Sequence, residues 1–324
     1  MRPVVLLRWI AAALVALGAL FPPAALAQAR WYWKSLSDAN AIPVMFESLS
    51  GNTNPADPAH IVAPGGNFSG ALAMAGYART FSLFDRAAMA AIIVPMGRVS
   101  GEVTAAGSTF FQSANGFGDP LIELDVNVVG PRAQKTLADA VRYEPGFSLD
   151  VLADLAFPIG QYSSSQPLNL GQHRWYGRVG LPVVWQIGRW VPGERTTVEA
   201  LPALWWFGAN SDYLGQTLTT SPLFELDAHV TRDLTSSFWA ALDAVWYYGG
   251  TPAIDGVAGA KLNNVGIGLT LGYQITASLG LTAGYMTMIH SSSPDALRMD
   301  RFTVQLIYGW HSLIEGVRRL ENEK

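Results

Sequence analysis

The chain contains no cysteine, so neither disulfides nor thiolate metal sites stabilise it. Charge is scarce too: Asp, Glu, Lys and Arg make up 14% of the 324 residues, against roughly 25% in soluble domains. Too few charges remain to solvate the whole exterior of an ordinary water-soluble protein. The formal net charge of −4 lacks the basic excess of a nucleic-acid-binding chain. Histidines number five (His60, His173, His229, His290 and His311) and show no H-E-x-x-H or other ligand spacing. The G-x-S-x-G and G-K-[ST] signatures are absent. No cofactor, no metal and no enzymatic activity are expected. Past the first thirty residues, a convincing membrane helix is lacking as well. The nearest approach, residues 262–289, has no charge, but its periodicity is not helical.

The first residues read as a secretory signal. Arg2 and Arg8 precede an apolar run from Trp9 to Phe21, and Ala25 and Ala27 form an A-x-A cleavage pattern before Gln28. A transmembrane anchor is the alternative, but Pro22 and Pro23 interrupt a run that would need roughly 20 apolar residues. Residues 1–27 are therefore assigned to a signal peptide and 28–40 to an N-terminal periplasmic segment.

The dominant signal has period two. Val265, Ile267, Leu269, Leu271 and Tyr273 alternate with Gly266, Gly268, Thr270, Gly272 and Gln274. A strand sends successive side chains to opposite faces, so one face is apolar and the other small or polar. As helices, the G-x-x-x-G spacings here would mark dimerisation; as strands, their glycines share the polar face. The pattern recurs, and strands are placed near 41–50, 69–79, 86–96, 118–129, 147–157, 175–187, 195–207, 222–232, 236–248, 262–274, 277–288 and 299–310. An even count with alternating long and short connections fits an all-β, transmembrane, antiparallel up-and-down β-barrel of about twelve strands over residues 41–310. A soluble β-sandwich also alternates, but the apolar face here is continuous on nearly every strand. Residues 130–146 and the tail, 311–324, have apolar residues at helical spacing, and the tail is placed in the periplasm.

Charges are costly against lipid, so they belong inside. The inferred register turns Glu123, Asp125, Asp150, Asp154, Arg178, Glu199, Glu225, Asp227, His229, Asp243 and Arg301 to the lumen, together with Tyr176, Trp205, Trp239 and Tyr247. Their bland role is to hydrate the interior. The functional alternative is an acidic lumen that disfavours anions. His229, beside Asp227 and Glu225, is the single candidate base for a membrane-embedded hydrolase, against a simple hydrogen-bonded role.

The chain resembles the transporter family labelled by the MetA pathway of phenol degradation. The resemblance rests on Gly51-Asn52 with Asn54-Pro55-Ala56-Asp57-Pro58, on Tyr77 with Arg79-Thr80-Phe81, and on Gly116-Phe117-Gly118-Asp119-Pro120. It continues through Pro158-Ile159-Gly160-Gln161-Tyr162, Asn169-Leu170-Gly171 with Arg174-Trp175, Asn210 with Asp212-Tyr213, and Gly249-Gly250 with Asp255-Gly256-Val257. It implies an outer-membrane channel for passive uptake of small, hydrophobic or aromatic molecules. The expected partners are outer-membrane lipids, a small solute and the barrel-assembly machinery, with the chain acting as a monomer. A lipid-acting hydrolase and a structural or adhesive barrel are the alternatives.

Overall fold

A computed structural model describes residues 28–105, 108–289 and 296–316. The signal-peptide assignment, His290 and the end of the tail lie outside the described residues. In chain order the strands are β1 (Asn40–Gly51), β2 (Gly66–Leu83), β3 (Arg86–Ala105), β4 (Ser108–Phe117), β5 (Leu121–Val129) and β6 (Phe147–Ala156). There follow β7 (Tyr176–Gly180), β8 (Val183–Gln186), β9 (Thr196–Phe207), β10 (Asn210–Tyr213), β11 (Gln216–Thr220) and β12 (Leu223–Asp233). The last are β13 (Phe238–Gly249), β14 (Pro252–Ile254), β15 (Val257–Ala258), β16 (Leu262–Thr276), β17 (Leu279–Ile289) and β18 (Met299–Trp310).

The fold is a closed antiparallel barrel of twelve staves. β4 and β5 form one stave, both pairing with β3, and β7 and β8 form another, both pairing with β6 and β9. The ring closes twice over: β1 pairs with β18 along its whole length, and β12 pairs with β9. Closure follows from the solvent. Hydrocarbon offers no partner to a free N–H or C=O, so a spanning sheet cannot keep an edge.

Each stave sorts its side chains as period two demands. In β5, Leu121, Glu123, Asp125 and Asn127 are buried while Ile122 and Leu124 are exposed. The exposed face across the barrel is Ile, Leu, Val and aromatic: Ile92, Val151, Val179, Leu204, Val230, Ile267 and Leu269 all stand outward. An exposed apolar band of this extent is a membrane surface. Trp175, Trp206, Trp246, Tyr248 and Tyr308 are exposed towards stave ends, where amphipathic rings suit the interface. The glycines of β16 leave room inside; the indole of Trp239 lies where a Cβ on Gly272 would have to go, 2.0 Å from Trp239 Cε2.

Two expectations change at the barrel ends. The long segment 97–117 is not a loop but the top of a hairpin, since β3 and β4 stay paired from Met96–Phe117 out to Ala105–Ser108. Residues 208–221 and 249–261 contain a small second sheet, ordered β10-β11-β14-β15. Above the membrane both faces of a ribbon meet water, so polar residues on both sides do not end it. Residues 130–146 contain a single helical turn, Leu137–Arg142, started by a Thr136–Asp139 capping box.

An arginine at Leu269, mid-stave and outward, is expected to lower the unfolding free energy by about 2–4 kcal/mol. Denaturant titration of the barrel in lipid vesicles reads this. No change would mean that hydrocarbon does not cover this face.

Candidate functional site: the lumen and its two coverings

Every charged residue expected in the lumen is buried: Glu123, Asp125, Asp150, Asp154, Arg178, Glu199, Glu225, Asp227, His229, Asp243 and Arg301. Tyr176, Trp205 and Tyr247 are buried beside them, and Trp239 is half-buried. Most join into networks. The Arg178 guanidinium lies 2.7 Å from Asp154, 3.5 Å from Glu225 and 3.9 Å from Glu123, with its carbon 5.0 Å from the Trp205 ring centre. Trp205 in turn donates its indole N–H to Glu225 at 2.7 Å. His229 Nδ1 sits 2.6 Å from Asp243, which also accepts from Thr270 at 2.7 Å. His229 Nε2 has no hydrogen-bond partner, so no hydroxyl is poised on it as a nucleophile would be.

The wall is only half of the lumen. Residues 28–39, expected to lie in the periplasm, run inside the barrel at the end that carries both chain termini. Trp31 donates its indole N–H to Glu123 at 3.0 Å, and Trp33 donates to Glu199 at 2.9 Å. Lys34 makes ion pairs with Asp125 and Asp150. Arg30 pairs with Asp233 at 2.7 Å and is stacked between the Trp33 and Trp239 rings. Burial alone pulls the Lys34 ammonium pKa down, but Asp125 and Asp150 outweigh it and hold the pKa above its ordinary value. The segment is fixed behind by a parallel bridge from Leu36 to Gln134 and by His311, whose Nε2 lies 2.8 Å from the Ser37 carbonyl.

Sequence reasoning missed this insertion, and Glu47, Asp233 and Arg195 with it. One signal was available. Arg30-Trp31-Tyr32-Trp33-Lys34 packs three aromatic rings between two cations, a poor composition for a solvated linker. Those cations also offset the acidic balance that the wall shows by itself.

The opposite end is covered by the loop between β1 and β2, folded inward. Asn52 donates to the Ala296 carbonyl at 2.9 Å and accepts from the Arg298 N–H at 2.8 Å. Asn54 caps its own turn through Ala56 N–H and donates to the Asn169 carbonyl. Asp57 accepts from the Ala59 N–H and lies 3.7 Å from Arg174. The neighbouring motifs lock together by close backbone approach. Asp119 accepts from the N–H groups of Gly160 and Gln172 at 2.8 and 2.7 Å. A Cβ on Gly160 would fall 2.6 Å from the Gly118 carbonyl carbon, and one on Gly171 would fall 2.6 Å from that of Gly160. Only glycine allows three strands of backbone to stack this closely.

This roof separates two cavities that share Asp57. Outside lies a vestibule of about 590 Å³ bordered by Phe68, Phe110, Phe111, Tyr162 and Tyr213 with Gln112. Beneath it lies a small cavity of about 120 Å³, between the roof and the wall.

A transmembrane barrel with its own N-terminal segment as a lumen filling is the class that fold and site define. The chain belongs to the family described by the MetA-pathway of phenol degradation, whose model matches residues 50–306. The crystal structure of an outer membrane channel from Pseudomonas putida F1 superposes with a TM-score of 0.71 at 17% identity, covering 88% of this chain and 100% of that one. The beta domain of a Bordetella autotransporter follows at 0.46 and 12% identity, covering 85% of this chain and 100% of that one. The transport unit of an Escherichia coli autotransporter gives 0.46 at 10% identity, covering 91% and 95%. A search of curated proteins returned no match.

Two outcomes are expected at these coverings. Lys34→Met leaves Asp125 and Asp150 buried without their cation, a loss of about 3–5 kcal/mol to the docked segment; limited proteolysis of the folded barrel should then cut within residues 28–39, which the unaltered protein resists. At the roof, burial lowers the His60 pKa below its ordinary value near 6.5, with Glu225 and Asp57 opposing and Arg301 assisting. The docked loop therefore holds His60 neutral. Its docking is full above pH about 6.5 and weakens as pH falls below that. Hydrogen exchange across residues 52–65 should accelerate at pH 5 relative to pH 7.5, and His60→Phe, which keeps the ring on Tyr247, should remove the difference.

Proposed function

We propose that this protein is an outer-membrane channel for passive uptake of small hydrophobic, chiefly aromatic, molecules. The observation that carries the reading is the pairing of an aromatic-lined vestibule with a lumen that is filled rather than open. A twelve-stave ring is narrow, and porins with a water-filled channel use 16–18 strands. Here Trp31, Tyr32 and Trp33 are buried inside the ring and fill much of it. General diffusion of hydrophilic solutes is poorly served by such an interior. A vestibule presenting Phe68, Phe110 and Phe111 is suited to solutes that prefer to leave water. Family membership and the fold shared with a solved outer membrane channel support the same reading. The ring needs no second chain to close, which supports a monomeric working unit seated in outer-membrane lipid after export and assembly. The loop end faces outward and the terminal end faces the periplasm. No hydrolase role is advanced, since His229 has a carboxylate on one nitrogen and no partner on the other.

Uptake of a labelled one-ring aromatic by Gram-negative cells is the direct test. Cells expressing the barrel should accumulate it severalfold faster than cells carrying Phe111→Asp, which places a charge in the vestibule. Equal rates would end the reading. In planar bilayers the intact protein should pass little ionic current, and deletion of residues 28–39 should raise it severalfold.

A further inference from the structure

The small cavity beneath the roof is bordered by two ionisable groups that the networks above do not use. Six charged or histidine side chains border it, Glu47, Asp57, His60, Asp119, Glu225 and Arg301, beside Tyr176 and Trp205. Four of the six are already engaged. Asp57 serves Ala59 and Arg174, Asp119 serves Gly160 and Gln172, Glu225 serves Trp205 and Arg178, and the His60 ring lies 4.7 Å from that of Tyr247. Glu47 and Arg301 remain. Glu47 is 6% exposed, and its Oε2 has no hydrogen-bond partner. Arg301 is 8% exposed, and among the described residues its guanidinium's hydrogen-bond contact is the Met286 sulfur, at 3.4 Å.

The register explains why these two do not simply neutralise one another. Across the β1–β18 pair, Glu47 stands opposite Thr303 and Leu49 stands opposite Arg301. Glu47 and Arg301 are thus diagonal neighbours on one face, with Cβ atoms roughly 7–8 Å apart by sheet geometry. They approach no closer than the 4 Å of an ion pair, and both border the cavity. A buried charge without a partner is expensive, so the pair gains from any group that fits between the two heads.

The chemistry of that group is constrained. It must accept from a guanidinium and exchange a hydrogen bond with a carboxyl group, since Arg301 offers only donors and Glu47 accepts when ionised. A hydroxyl does both through one oxygen. An ammonium group donates but meets the like charge of Arg301, and a carboxylate accepts but meets Glu47. A hydrocarbon does neither. Apart from Asp119, Tyr176 and Trp205, the rest of the lining is apolar, including Leu49, Leu72, Met74, Ile93 and Leu170. The volume of about 120 Å³ approaches that of an apolar cavity, on the order of 150 Å³, known to admit one benzene ring.

We propose that this cavity is a binding subsite for a neutral one-ring alcohol, whose hydroxyl donates to Glu47 and accepts from Arg301. The subsite deepens the uptake reading and rests on it for its purpose, not for its chemistry. A solute leaving the aromatic vestibule passes Asp57 and enters a site that selects for a single hydroxyl on an apolar body.

The test uses the intact barrel in detergent micelles and four probes on one scaffold: benzyl alcohol, toluene, benzylamine and benzoate. Titration calorimetry or ligand-observed NMR reads each affinity, and Trp205 at the cavity wall gives a fluorescence signal. Benzyl alcohol should bind about ten- to a hundredfold more tightly than toluene, the range expected for a hydrogen bond to charged partners. Glu47→Leu and Arg301→Met should each abolish that advantage and leave toluene unchanged, while Glu47→Gln keeps part of it. Equal binding of benzyl alcohol and toluene, or a preference for benzylamine or benzoate, overturns the proposal even if neither variant folds. A ratio that survives both substitutions overturns it as well. Binding in micelles requires no transport, so failed uptake with the alcohol ranked first would sink the channel and leave the subsite standing.

Discussion

Closure of the hydrogen-bonded ring is the constraint on which everything else here depends. Once β1 meets β18 and β12 meets β9, no backbone edge is left to lipid, and the two faces of one sheet belong to different solvents. The outer face must then carry little charge: on the described staves the exposed charged residues are Arg79, Arg98, Glu102, Arg232 and Asp300. The carboxylates of β5, β6, β9, β12 and β13 are pressed inward, into a space that twelve staves make small. Acidic residues outnumber basic ones on that inner wall, and little water reaches them to share the load. The need for internal cations is therefore built in by the geometry of the ring.

The chain meets that need with its own beginning. Arg30 and Lys34 enter the lumen and engage Asp233, Asp125 and Asp150, while the indoles of Trp31 and Trp33 satisfy Glu123 and Glu199. Each contact satisfies a group that would otherwise be buried alone, which is costlier than never having been buried. Withdrawing the segment would uncover several carboxylates at once, which makes its removal costly. Arg178 plays the same part from the wall, with three carboxylates gathered around one guanidinium.

Period-two alternation made the staves legible because it is local: a residue and its second neighbour already disclose which faces exist. The lumenal register of β5, β6, β9, β12 and β13 was readable on that basis. The first staves were harder. In β1 the inward positions Ala41, Met45 and Leu49 are as apolar as the outward Ile42 and Phe46; Leu49 lines the lower cavity and Met45 packs against Gln28 of the inserted segment. Polarity contrast vanished there, and Glu47 was lost with it. The inserted segment was illegible for another reason. The carboxylates that Arg30, Trp31, Trp33 and Lys34 engage lie between 91 and 203 positions away, so nothing local reports the match. The hairpin of β3 and β4 was read as a loop because its Gly, Ser and Thr content resembles one. A ribbon standing in water on both sides has no cause to look otherwise.

The glycine-rich motifs show how a narrow barrel obtains selectivity without a wide pore. Gly118, Gly160 and Gly171 let three backbones stack beside Asp119, and this places the roof loop over the lumen. A side chain at any of these points would push the layers apart and join the vestibule to the space below. Kept thin, the roof divides the outer half of the barrel into a large aromatic antechamber and a small cavity with two unspent charges. On the proposed uptake reading, selection begins by partition into the antechamber and continues by hydrogen-bond geometry between β1 and β18. The filled lumen beyond contributes exclusion. A pore of constant bore would have to obtain all three from diameter alone, which a ring of this size does not provide.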